Sequence, residues 1–132
     1  MENKNVIITL PKSLWEKIAS GEKKVEVRKN APNVKFRVTK IYVIIKGTDI
    51  VAGYFTLKDI ISCKNMWWFY YTYKKQIGVP FEWLQKYVGS PDKRFYGWEI
   101  GKVKCFKKMT LYRSYFGVKS NPQSFAYTEE NY

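Results

Sequence analysis

Apolar residues recur along the chain with two different periods, and the points where one gives way to the other mark out its elements. Asn5-Val6-Ile7-Ile8-Thr9-Leu10 is a nearly continuous apolar run rich in β-branched residues and ended by Pro11, which predicts a buried first strand. After Pro11, the positions Leu14, Trp15, Ile18 and Ala19 follow at one-, three- and four-residue steps, the spacing of one helix face. Gly21 ends that helix, because glycine enters the left-handed conformation without a Cβ penalty. The period then becomes two, so that Val25 and Val27 are expected on one side of a strand and Lys24, Glu26 and Arg28 on the other.

Downstream, Lys29-Asn30-Ala31-Pro32-Asn33 is turn chemistry, with Lys35, Arg37 and Lys40 gathered after it. Residues 40–45 and 50–57 are β-rich runs around Lys46-Gly47-Thr48-Asp49 and predict a hairpin, with Gly53 marking a bulge or a close backbone approach. Residues 79–88 predict a second helix, opened by Pro80, closed by Gly89 and apolar at Phe81, Trp83, Leu84, Tyr87 and Val88. Residues 95–106 alternate as a strand, with Trp98 and Ile100 on one face.

Composition narrows the function classes. At 132 residues, 45% hydrophobic and 18% aromatic, the chain is expected to fold as one domain over residues 1–132. The net charge of +13, from 24 basic and 11 acidic residues, favours polyanionic partners, nucleic acid before membrane. No histidine is present, which excludes Ser-His-Asp and Cys-His catalysis and histidine metal sites. Cys63 and Cys105 are expected to be reduced, and no cofactor or metal is expected. Neither a membrane-spanning run nor a secretory signal is recognisable, so a cytoplasmic location is expected.

Glu26 and Arg28 lie about 7 Å apart on one strand face, where they can pair or grip opposite ends of one polar ligand. The same spacing also suits a half-exposed edge strand with solvated charges. Six aromatic residues fall within positions 67–73, beside Lys74 and Lys75. They suit either a base-stacking platform or a helix packed on the core. Lys102, Lys104, Lys107, Lys108 and Arg113 follow one another without an acidic residue among them, as a solvated face or a secondary nucleic-acid patch.

The pattern Gly21-x-Lys23-x-x-Glu26-x-Arg28 resembles the signature of the ASCH domain, of the PUA-like superfamily. The likeness continues through Ile41-Tyr42-Val43-Ile44 with Val51-Ala52-Gly53-Tyr54-Phe55, and through Pro122-Gln123-Ser124-Phe125-Ala126-Tyr127, in the family's order and over nearly the whole chain. That resemblance implies an α+β fold, a small PUA-like mixed β-barrel with peripheral helices, and a helical insertion at the aromatic run. It implies RNA or a nucleotide-like ligand bound in a cleft lined by Lys23, Glu26, Arg28, Gln123 and Ser124. Arg28 would take a phosphate or carbonyl, Lys23 a phosphate, and Glu26 would orient Arg28 or accept from a base amine. Gln123 and Ser124 would read a base edge from a lid-like tail.

The resemblance also implies rival functions. Some ASCH proteins are hydrolases of the 4-acetylcytidine amidohydrolase type, resting on a lysine that matches Lys23 and a threonine three positions later, and others are ribonucleases. Here position 26 is Glu, so an enzyme would have to use Lys23 and Glu26 as a proton-transfer pair. A transcription-related protein-interaction module is the third reading, with the aromatic cluster at 67–73 as its surface. On the binding reading Arg28, opposite Val25 and Val27, is expected to be removable without unfolding the protein.

Overall fold

The computed structural model describes residues 2–132. Its first strand, β1 (Glu2–Leu10), buries Val6, Ile7 and Ile8 completely and leads into α1 (Lys12–Ser20). The helix turns Trp15 and Ile18 inward but leaves Ala19 exposed, so its inner stripe is narrower than the spacing predicts. Gly21 closes it at φ 86°. The chain continues as β2 (Val25–Arg28), β3 (Phe36–Ile45) and β4 (Ile50–Cys63), then α2 (Met66–Ile77) and α3 (Phe81–Val88). It finishes with β5 (Phe95–Cys105), β6 (Leu111–Tyr112), a 3-10 turn at Arg113–Phe116 and β7 (Ala126–Thr128).

The expected hairpin is present, as β3 and β4 pair antiparallel with a register shift opposite Gly53. A Cβ at Gly53 would lie 2.8 Å from the ring of Trp15 and closer still to the Lys104 carbonyl, so this glycine lets α1 seat its tryptophan on the sheet. The first and third strands run parallel, which requires a crossover, here supplied by α1 and β2. One core lies beneath α1, around Ile8, Phe55 and Trp98, and a second lies beneath α2 and α3, around Val25, Val27, Phe69 and Leu84. A third holds the C-terminal segment against Tyr42 through Phe116.

The fold is mixed α+β, with a seven-stranded sheet that does not close into the expected barrel. The strand order is β2-β5-β4-β3-β1-β7, with β6 beside β4, so that β2 and β7 remain edges. Each is too short to build a closing ladder: β2 has four residues and stops before the Pro32 turn, and β7 has three. Side chains bridge the seam instead. Arg28 donates to the Ser124 carbonyl, Asn30 Nδ2 donates to Ser124 Oγ at 3.0 Å, and the Asn33 amide donates to the Tyr127 hydroxyl at 2.8 Å. Among the described residues no helix is long and apolar enough to cross a membrane, and both cysteines are free.

Candidate functional site

The left-handed Gly21 aims the chain so that Lys23 turns inward and Lys24 outward. The Lys24 amide donates to the Gln76 carbonyl at 2.7 Å and its carbonyl accepts from Ile100, fixing the start of β2 between α2 and β5. Lys23 is only 2% exposed, its stem packed on Gly78 at the end of α2. Its Nζ donates to the Ile77 carbonyl at 2.5 Å and lies 3.3 Å from Glu26 Oε1. Lys17 Nζ donates to the next carbonyl, of Gly78, at 2.9 Å. Two ammonium groups thus meet the negative end of the α2 dipole. Burial lowers the pKa of Lys23, with the Glu26 carboxylate opposing that shift.

Glu26 and Arg28 share the polar side of β2 as the two-residue period requires, but the side faces inward and both are buried. Glu26 Oε2 lies 3.2 Å from Arg28 Nη1, so one carboxylate stands between two basic groups. The guanidinium also lies 5.9 Å from the ring of Trp98, whose Nε1 donates to the Asn30 carbonyl at 3.1 Å. These are not the solvated charges of an edge strand.

Glu26 and Arg28 form the floor of a cleft of about 480 Å³. One wall is aromatic: Trp83 and Tyr87, one turn apart on α3, stack at 4.9 Å with 13° between their planes. Leu10, Pro11 and Leu14 make the other wall, and Lys46, Asn121 and Gln123 stand at the rim. Asn121 is held from both ends, accepting from Arg113 Nη1 at 2.8 Å and donating to the Thr48 carbonyl at 2.8 Å. Thr9 also lines the cleft, and its Oγ1 is buried without a hydrogen-bond partner among the described residues.

Of the residues singled out by sequence, Glu26, Arg28 and Gln123 line this cleft together. Lys23 does not line it; it lies behind Glu26 and borders a separate depression with Lys24, Lys58 and Lys102. Ser124 is also outside the lining, with its carbonyl taken by Arg28 and its hydroxyl by Asn30. In the secondary patch, Lys104, Lys107 and Lys108 border one surface depression and Lys102 another, whereas Arg113 is turned toward Asn121 and the cleft rim. The aromatic cluster is divided: Phe69 is in the core, while Trp67, Trp68 and Tyr71 are exposed on α2. No group of three carboxylates or thiols among the described residues is placed to hold a metal.

Sequence reasoning gave Thr9, Lys46, Trp83, Tyr87 and Asn121, all of which line the cleft, no part in a site. The two aromatics carried a usable signal, since they stand four residues apart on α3, one position before the buried Leu84 and Val88, on the flank of its inner stripe.

Comparison with solved structures identifies the fold. The chain superposes on the crystal structure of ASCH from Zymomonas mobilis with a TM-score of 0.80 at 16% identity, over 96% of this chain and 89% of that one. Two single-residue variants of that protein match with TM-scores of 0.79 and 0.76, each at 16% identity and 96% of this chain, over 91% and 89% of theirs. No family model and no curated protein matches the sequence. The likeness is one of fold, and it is the fold that the three sequence blocks resemble.

Proposed function

We propose that the chain is an RNA- or nucleotide-binding domain that takes a base or nucleotide into the cleft above Glu26 and Arg28. The observation that carries this reading is the placement of the Trp83–Tyr87 stack beside that buried ion pair and the unpartnered Thr9 hydroxyl. An aromatic face holds any base by stacking, and charged groups below it select by hydrogen bonding. Arg28 has five N–H donors, of which Glu26 and Ser124 take one each, so others remain for a carbonyl or phosphate. Glu26 accepts from a base amine, Gln123 meets the base edge at the rim, and Lys46 meets a phosphate. Lys23 and Ser124 act indirectly, by fixing Glu26 and Arg28.

Calorimetric titration with cytidine, CMP and a short single-stranded RNA tests this. Binding is expected, and Trp83→Ala should weaken it by about 1–3 kcal/mol, the stacking contribution of one base. A wild-type protein that binds none of the three would overturn the reading.

A hydrolytic reading has one observation behind it: burial pushes the Lys23 ammonium below its ordinary range beside a carboxylate, as acid–base work requires. On that reading Glu26 is the group that faces the substrate and Lys23 its proton partner. Chromatography of 4-acetylcytidine after incubation separates the two; turnover that vanishes in Lys23→Ala would replace binding alone by catalysis.

A further inference from the structure

The cleft lies on one side of the buried ion cluster, and the surface beyond Lys23 has no part in it. There, a depression of about 680 Å³ collects Lys24, Lys58 and Lys102 around the buried Lys23, with no acidic side chain in its lining. None of the three outer lysines is in an ion pair among the described residues, whose pairs involve Lys4, Lys12, Lys23 and Arg28. The neighbouring Asp59 turns its Oδ1 to the amide of Ile60 at 2.8 Å rather than to a lysine.

The convergence follows from the backbone. Phe55 opposes Val103 and the next pair is Leu57 with Ile100, so Gly101 and Lys102 together face Thr56. An extra residue of this kind bends a strand and re-aims its side chains. Thr56 Oγ1 accepts the Lys102 amide at 2.8 Å, leaving its own proton free to donate. A side chain at position 101 would strike that hydroxyl, so the glycine keeps the depression open. Beyond it, Lys104 repeats the outward direction of Lys102 after about 7 Å of strand and, with the exposed Lys107 and Lys108, borders a separate depression.

We propose that this lysine groove is a second site, which carries the phosphodiester backbone of single-stranded RNA. Three unpaired ammonium groups with a hydroxyl donor, and no aromatic or amide beside them, bind phosphate without reading sequence. A concave depression between a strand pair and a helix end admits a linear polyanion and excludes a flat bilayer. The choice of RNA rests on the nucleotide reading of the cleft, whereas the groove's affinity for phosphate does not.

The test is the salt dependence of binding to polyuridylic acid by wild type and by the triple variant Lys24→Gln, Lys58→Gln, Lys102→Gln, with CMP titrated alongside. Each neutralised phosphate on a single strand contributes about 0.7 to the slope, so the triple variant should lose about 2. Its CMP affinity should equal that of wild type. An unchanged slope would overturn the proposal, as would a slope lost for phosphatidylserine vesicles but not for RNA. A loss of slope in a protein that never binds CMP would leave the groove standing and remove the cleft reading. Lys102→Glu alone, with its melting curve recorded, guards against a folding effect of three changes.

Discussion

Lys23 and Lys24 are neighbours in sequence and border the same depression, yet one is buried and paired and the other is exposed and unpaired among the described residues. Lys23 is buried behind Glu26, its ammonium bonded to the Ile77 carbonyl and paired with Glu26, whereas Lys24 opens onto a groove with no acidic side chain in its lining among the described residues. The inner region holds β2 against α2 and the C-terminal segment; the outer one is left unneutralised. The difference teaches that net charge alone says little here. Of the basic excess, some organises the fold and some is left without an ion pair among the described residues, and Lys23 and Lys24 fall on the two sides of that division just after the left-handed Gly21.

The contrast can be broken most forcefully at Glu26. Removing the shared carboxylate in Glu26→Ala leaves two buried basic groups uncompensated, so urea unfolding should show a loss of about 3–5 kcal/mol. Arg28→Ala comes next. The sequence reading expects it to leave the protein folded, but Arg28 is buried and bonded to Glu26 and the Ser124 carbonyl. A loss of about 1.5–3 kcal/mol is therefore expected, as for hydrogen bonds to charged groups. A full-stability Arg28→Ala protein would return that residue to the surface.

A smaller effect lies in pH. Unfolded lysine keeps its proton to about 10.5, while burial makes native Lys23 release it earlier. Between those two values the unfolded chain binds more protons, so the cost of burying the charge, fully present below the native pKa, fades as pH rises. The melting temperature of wild type relative to that of Lys23→Met should therefore rise as pH climbs from the native pKa of Lys23 toward about 10.5. The smallest change is Lys24→Gln, expected within about 0.5 kcal/mol of wild type as for an exposed side chain. Equal losses in Lys24→Gln and Glu26→Ala would dissolve the comparison.

Much of this was legible in the chain. Helix α1, its glycine stop, β2 and the β3–β4 hairpin follow from periodicity and turn chemistry, because each is dictated within about ten residues. The cleft was legible only in part. Glu26 and Arg28 could be placed on one face by counting, but a polar strand face reads as solvent-exposed until the elements that cover it are known. What covers it is α3 and the segment at 121–123, both far away in sequence. The open seam was equally hidden, since whether two edge strands pair depends on a few residues of length at each. The resemblance implied a closed barrel for the same reason that it implied a cleft lined by Ser124: it carries residues over by order, not by distance.

That seam sets how the molecule comes apart. Three register pairs attach β7 to β1, and the remaining attachment to the β2 edge runs through side chains of Arg28, Asn30 and Tyr127. Amide hydrogen exchange should therefore find the stretch from 121 to 128 opening in a unit of low local stability, well before the β3–β4–β5 ladders exchange. Because that opening would also remove Asn121, Pro122 and Gln123 from the cleft lining, a ligand bound as proposed would favour the zipped form. Slower exchange at 126–128 when the cleft is filled would make those few amides a built-in reporter of occupancy.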